Sequence, residues 1–169
     1  MKLVIRAYEN TDKQACLKAF ESNVPKYFTQ AEVADFDAFL EMIPNKVGVN
    51  KTYYYVVVFE NEVIGCGGFG DKDNSDIITL AWGLIHQNFH KKGFGKELLA
   101  YRLEQIKEKF PNQPVYIDTT QYSYGFFEKY GFETTKITND FYEKGLHRYD
   151  MKLVFQETIN GITKPVNLS

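Results

Sequence analysis

The sequence predicts an α/β domain built on a mixed sheet. Helix-like and strand-like segments run in the order β-α-α-β-β-β-α-β-α-β-β along 169 residues. The early hairpin excludes a fully parallel, doubly wound sheet, in which helices would separate successive strands. No repeat, low-complexity block or linker interrupts the order, so a single domain over residues 1–169 is expected, with its core at about 3–155.

Each element has a local reason. Residues 3–8, LVIRAY, read as the first strand. Asn10 or Thr11 is placed to cap a helix over NTDKQACLKAFESN, and Pro25 breaks the pattern. Thr29 and Glu32 then stand in capping-box spacing before a second helix over 29–43, with Val33, Phe36, Phe39 and Leu40 on one face. A loop over 44–51 leads into TYYYVVVFENEVIGCGGFG, a hairpin of β-branched and aromatic residues turning at Glu60–Asn61. After a polar turn at 71–76, the apolar run IITLAWGLI reads as a central strand. Leu98, Leu99, Leu103 and Ile106 recur at helical spacing in the next helix, which Pro111 ends. PVYIDTT is a strand, SYGFFEKY a short helix stopped by Gly131, and FETTKI and HRYDMKLVF two closing strands around a loop at 138–146. The tail over 160–169 is expected to fray.

Composition narrows the function. With 20 Lys and Arg against 22 Asp and Glu, the net charge of −2 gives no field for nucleic acid or an anionic membrane, so any anion site must be local. Cys16 and Cys66 have no metal-ligand spacing and read as two buried thiols of a reducing compartment. The N-terminal stretch lacks the apolar core of a signal peptide, and no segment approaches about 18 apolar residues. A cytoplasmic protein is expected.

Two glycine motifs compete for a ligand. GCGGFG, Gly65 to Gly70, satisfies the dinucleotide spacing G-x-G-x-x-G, but a turn and a strand follow it where the fingerprint needs a helix. It reads as a glycine-rich strand end with close backbone contact. HKKGFGK has the right setting, a strand before it and an amphipathic helix opening near Gly93. Gly93 and Gly95 let backbone amides approach an anion, while Lys91, Lys92 and Lys96 supply local charge. Only one residue separates the glycines, and Glu97 follows Lys96, so the segment is no Walker loop. The alternative is a tight strand-to-helix turn with solvated lysines.

WGLIHQNFHKKGFGKELL resembles motif A of the GCN5-related N-acetyltransferases, Gln/Arg-x-x-Gly-x-Gly/Ala at a helix start, here His90 to Gly95. FFEKYGFE, Phe126 to Glu133, resembles the family's second signature, and RYDMKLVF its closing strand. The resemblance covers roughly residues 3–155 and implies a mostly antiparallel central sheet with two splayed parallel strands and flanking helices. It implies acetyl-CoA as cosubstrate, no metal, and a small-molecule or peptide amine as acceptor, with no nucleic acid or membrane partner; a homodimer is implied by analogy with relatives alone. Gly83 and Ile85 match the amides that bond the acetyl carbonyl and pantetheine. The amides of Lys91, Lys92, Gly93, Phe94, Gly95 and Lys96 match the pyrophosphate cradle, and Thr120 falls where many relatives place an Asn near the pantetheine.

Two residues depart from the family pattern. His90 replaces Gln or Arg, and reads either as a pH-dependent phosphate or loop contact or as a partly exposed turn histidine. Phe127 stands where relatives often carry a tyrosine acid. Tyr124, one turn earlier, is the first candidate acid for the leaving thiolate, with Tyr122 and Tyr130 as others; the other reading of Tyr124, as of Tyr130, is a packed ring. Glu32, Asp35, Asp37, Asp118 and Gln121 are unassigned candidates for a base. Tyr27, Phe28, Phe36, Phe141 and Tyr142 either line an acceptor cleft or pack. The leading expectation is an N-acetyltransferase using direct amine attack; the alternative, motivated by Phe127, is a non-catalytic acyl-CoA-binding or sensory domain.

Overall fold

A computed structural model describes residues 2–43, 51–71 and 77–155. In chain order the elements are β1 (Leu3–Ala7), α1 (Lys13–Glu21), α2 (Glu32–Met42), β2 (Thr52–Phe59), β3 (Glu62–Asp71) and β4 (Ile78–Ile85). There follow α3 (Phe94–Lys109), β5 (Val115–Thr119), α4 (Tyr124–Glu128), β6 (Glu133–Glu143) and β7 (Leu146–Leu153). The strands form one sheet in the order β1-β2-β3-β4-β5-β7-β6, antiparallel throughout except between β4 and β5. That parallel pair holds only at Ile78–Val115 and Thr79–Tyr116, after which the strands part. The mixed, mostly antiparallel sheet with two splayed parallel strands is therefore as expected.

The central strands are apolar on both faces because helices cover both. Tyr54, Val56, Cys66 and Leu84 pack against Cys16, Ala19 and Phe20 of α1 and Phe36 and Leu40 of α2. Alternate residues point the other way. Tyr55 and Phe69 meet Leu99, Leu103 and Ile106 of α3, and Val57, Ile64 and Ile85 meet Leu98. Phe20 anchors the first core, its ring stacked on Phe36 at 4.7 Å and on Phe28 at 4.3 Å. Both cysteines are buried free thiols.

Local chemistry sets the boundaries. Glu60 and Asn61 both take left-handed backbone, the geometry of a tight hairpin turn. Thr29 and Glu32 exchange bonds as a capping box, at 3.0 and 3.2 Å. The entry to α1 differs from expectation. A 3₁₀ turn at Asn10–Asp12 precedes it, and neither Asn10 nor Thr11 caps the helix. Glu9 and Asp12 form a capping box around that turn, the Asp12 carboxylate accepting the Glu9 N–H at 2.9 Å and bonds from both Arg6 guanidinium nitrogens at 2.8 and 2.9 Å. Burial alone would raise the Asp12 carboxyl, yet these bonds hold it below its ordinary value.

A second difference lies at the end of the chain. The loop expected at 138–146 shrinks to a turn before Leu146, because β6 continues to Glu143. Nearly all of β6 is exposed, so no apolar alternation marks it, and pairing with β7 alone makes it a strand. The expected loop at 44–51, polar turn at 71–76 and tail at 160–169 lie outside the described residues, apart from residues 51 and 71.

The sheet leaves no room at Gly68, where an added Cβ would sit 2.0 Å from the Tyr53 carbonyl oxygen. Gly125, inside α4, would meet nothing within 4 Å. Urea unfolding of Gly68→Ala is therefore expected to show a loss of about 2 kcal/mol or more. Gly125→Ala should gain up to about 1 kcal/mol.

Candidate active site

Where β4 and β5 separate, a cleft of about 930 Å³ opens between them. One wall is β4 from Leu80 to Ile85, and the other is Ile117 to Thr120 at the end of β5. β4 is bulged there, with Trp82 and Gly83 set against Gly67 of β3 and Trp82 at φ 39°. The bulge interrupts the ladder and re-aims the backbone toward the cleft.

The start of α3 closes one end. Lys91 and Gly93 have φ of 61° and 85°, so the chain curls tightly before the helix. The N–H groups of Phe94, Gly95 and Lys96 precede the first intrahelical bond, which Glu97 donates to the Gly93 carbonyl at 3.1 Å. Free N–H groups at the positive end of a helix form an anion cradle. A Cβ on Gly93 would meet nothing within 4 Å, and one on Gly95 would lie 3.7 Å from the Phe126 ring. The ground before the cradle is thus open, and α3 comes near α4 at Gly95.

The expected donor-side residues separate into two groups. Gly83, Ile85, His90, Lys91, Gly93, Gly95, Lys96 and Thr120 all line the cleft. Lys92 and Phe94 do not: the Lys92 ammonium sits over the Phe89 ring at 5.5 Å, and Phe94 packs on Phe59 with ring centroids 4.9 Å apart. Only their backbone remains available to a ligand. His90 donates through Nε2 to the Ile85 carbonyl at 2.8 Å, and the same oxygen accepts from Asn23 Nδ2 at 3.0 Å. Thr120 is buried, and its hydroxyl oxygen accepts the Tyr122 N–H at 3.3 Å.

Tyr124 is absent from the cleft lining. Its ring stacks on Tyr149 of β7 at 4.4 Å with planes 14° apart. Tyr124 opens α4, and this stack turns it toward the sheet while Phe127 faces the cleft. Tyr124 and Phe127 do pack against the same core, but the Tyr124 ring ends on Tyr149 rather than on the cleft wall.

The far end of the cleft is acidic and aromatic. Tyr27, Phe28 and Glu32 come from the α1–α2 region, Asp118 from β5 and Tyr142 from β6. The Tyr142 hydroxyl donates to Asp118 Oδ2 at 2.7 Å, and Arg148 Nη2 lies 3.8 Å from Asp118 Oδ1. Gln121 secures the β6–β7 hairpin, donating to the Gly145 carbonyl at 2.6 Å and accepting the His147 N–H at 2.9 Å. Burial, and then the Asp118 charge, pushes the Tyr142 phenol well above its ordinary value. Burial also raises the Glu32 carboxyl, against the opposing bonds from Thr29.

Among the unassigned carboxylates, only Glu32 and Asp118 face this space. Asp37 pairs with Lys13 at 2.8 Å, and Asp35 does not line the cleft. Phe36 is core, and Phe141 is exposed beneath the Arg148 guanidinium. Asn23 carried no signal in the sequence. Arg102, which also lines the cleft, had one: it interrupts the apolar face of α3 between Leu99 and Leu103.

The model of the acetyltransferase (GNAT) domain matches residues 16–155. A search of curated proteins finds no match. Among solved structures, a protein of Desulfovibrio desulfuricans assigned to the GNAT family superposes with TM-score 0.77 at 16% identity, over 90% of this chain and 99% of that one. The ribosomal-protein-S18-alanine N-acetyltransferase of Escherichia coli gives TM-score 0.70 at 13% identity, over 96% and 100%. YncA of Salmonella typhimurium, whose structure holds its cofactor acetyl-CoA, gives 0.71 at 16%, over 94% and 97%. At these identities the likeness is one of fold.

The Asp118–Tyr142 contact can be read by NMR titration of the Tyr142 ring. Its ionisation should lie above that of free tyrosine, and Asp118→Asn should bring it down, because the neutral amide no longer opposes a phenolate.

Proposed function

We propose that this chain, which belongs to the GNAT acetyltransferase family, moves an acetyl group from acetyl-CoA to a primary amine by direct attack on the thioester. The observation that carries the reading is the meeting of parted strands and a helix-start anion cradle in one cleft. Acetyl-CoA supplies the activated acyl group and a thiolate that leaves.

The chain's own residues divide the remaining work. Backbone N–H groups from Lys91 to Lys96 hold the pyrophosphate, with the side chains of Lys91 and Lys96 adding charge from the cleft wall. Gly83 and Ile85 present backbone beside the thioester, where a donor N–H stabilises developing charge on oxygen. Thr120 stands at the pantetheine wall. His90 shapes the turn through its bond to Ile85.

An ammonium acceptor must lose a proton before it attacks. Glu32 faces the acceptor end with its carboxyl raised by burial, so it is a stronger base than a solvated carboxylate. Asp118 lies on the opposite wall, and the two carboxylates favour a cationic amine, either a small molecule or a peptide N-terminus. Phe127 holds no proton, so the departing thiolate takes one from water or from a tyrosine of the cleft lining, Tyr122 or Tyr130. The competing reading, an acyl-CoA-binding domain without catalysis, draws on that same phenylalanine.

Incubation with acetyl-CoA and a panel of amines, polyamines and peptides should release free thiol above background hydrolysis. Tight CoA binding without release from any acceptor would support the binder instead. Glu32→Gln is expected to lower kcat by about 10²-fold, a usual size for a general base. In the wild type, kcat/KM should fall as pH drops through the raised Glu32 value, and this acidic limb should vanish in the variant. Tyr124→Phe should leave turnover within about twofold, as expected of a packed ring that touches no reacting atom.

A further inference from the structure

Helix α3 buries Leu98, Leu99, Leu103 and Ile106, and within that face Arg102 is only 3% exposed. Its one hydrogen bond runs from Nη1 to the Gly68 carbonyl at a long 3.4 Å, and its Nε has no partner. Among the described residues no carboxylate pairs with it. Burial brings the guanidinium down to about 10, which leaves it charged at neutral pH. A buried cation with so few partners is costly, and natural structures seldom keep one without a use.

The sheet is cut away to admit it. A Cβ on Gly83 would lie 2.8 Å from both Nη1 and Nη2, and one on Gly67 would lie 3.4 Å from Cζ. Gly67 belongs to the G-C-G-G-F-G stretch that is not a dinucleotide site, and Gly83 is the residue whose missing side chain the guanidinium directly requires. A leucine at position 102 would fill the apolar face without this clearance. The guanidinium lines the cleft next to Gly83 and Leu98.

We propose that Arg102 receives a ligand carboxylate at the inner end of the cleft, carried either on the acyl group or on the amine acceptor. This deepens the acetyl-transfer reading and rests on it. The guanidinium fork matches a carboxylate through two parallel N–H bonds. The phosphates of the donor are not the occupant. Arg102 is eight residues past Phe94, about 12 Å along the helix from the cradle that suits them. At that depth the acyl group and the attacking amine meet, so the anion arrives on one of those two.

Calorimetric titration of the full chain tests both sources. In the donor arm acetyl-CoA is compared with malonyl-CoA and succinyl-CoA. In the acceptor arm, on CoA-loaded protein, phenylalanine, methionine and lysine are compared with their decarboxylated amines. The expected result is a carboxylate preference of about tenfold or more in one arm, reduced to within about twofold in Arg102→Met and partly kept in Arg102→Lys. Equal affinities in both arms, or a preference that survives Arg102→Met, overturn the proposal. Should the Met variant not fold, Arg102→Lys and Arg102→Gln carry the comparison, and parity in the wild type is decisive without any variant. Failure of the wild type to bind CoA overturns the acetyl-transfer reading and this one together. Parity on a protein that binds CoA overturns only the carboxylate.

Discussion

Two parallel strands that stop pairing after two residues determine what the rest of the molecule can do. β5 keeps its antiparallel partner β7 from Val115 to Thr119, and β4 keeps β3 on its other side through the bulge. The edges that face each other past Thr79 and Tyr116 have no strand between them. Backbone N–H and C=O groups facing such a gap need partners, and only water or an extended ligand can supply them. A strand-like arm entering the gap would complete the sheet as an added strand does. The parting thus creates the demand that the proposed pantetheine arm meets.

Charge and size are then distributed around that gap rather than over the chain. The net charge of −2 offers no long-range pull on a polyanion, yet one end of the cleft presents helix N–H groups with Lys91 and Lys96. The opposite end presents Glu32 and Asp118. Glu32 serves twice: it takes the Thr29 N–H in the capping box that starts α2 while facing the cleft. Helix initiation and the proposed acid–base chemistry therefore share one carboxylate, and the position of that carboxylate is held by the fold.

The parts legible in the sequence were those settled by neighbours in the chain. The turn at Glu60–Asn61, the helix opening at Gly93 and the stop at Gly131 follow from residues within a few positions, and all three recur in the structure. What was not legible depends on distant partners. β6 has no apolar alternation to announce it, since only its pairing with β7 makes it a strand. Tyr124 has a plausible helical neighbour in Phe127, but the stack on Tyr149, 25 residues later in the chain, decides where its ring goes. The β6–β7 hairpin beside the cleft is fastened where Gln121 ties down Gly145 and His147, which no spacing rule foretells. The glycines of β3 were visible as close-approach positions, while the atoms that approach them come from neighbouring strands and, at Gly67, also from Leu98 and Arg102 of α3.

The carbonyl of Ile85 joins these regions at a single atom. Its oxygen has two lone pairs, one filled by Asn23 from the segment after α1 and the other by His90 from the turn before α3. His90 also meets Tyr27 edge-on at 5.5 Å, and Tyr27 meets Tyr122 at 6.2 Å. The end of β4 is therefore a common anchor for the segment after α1 and the turn before α3, and neither can shift alone without stretching one of the two bonds. In the proposed two-ligand reaction, the segments that flank the donor end and the acceptor end meet at this one peptide unit. Any free energy of coupling between the two ligands must be equal in both directions. For the proposed reaction, that strand end is the place in the fold through which such a coupling would run.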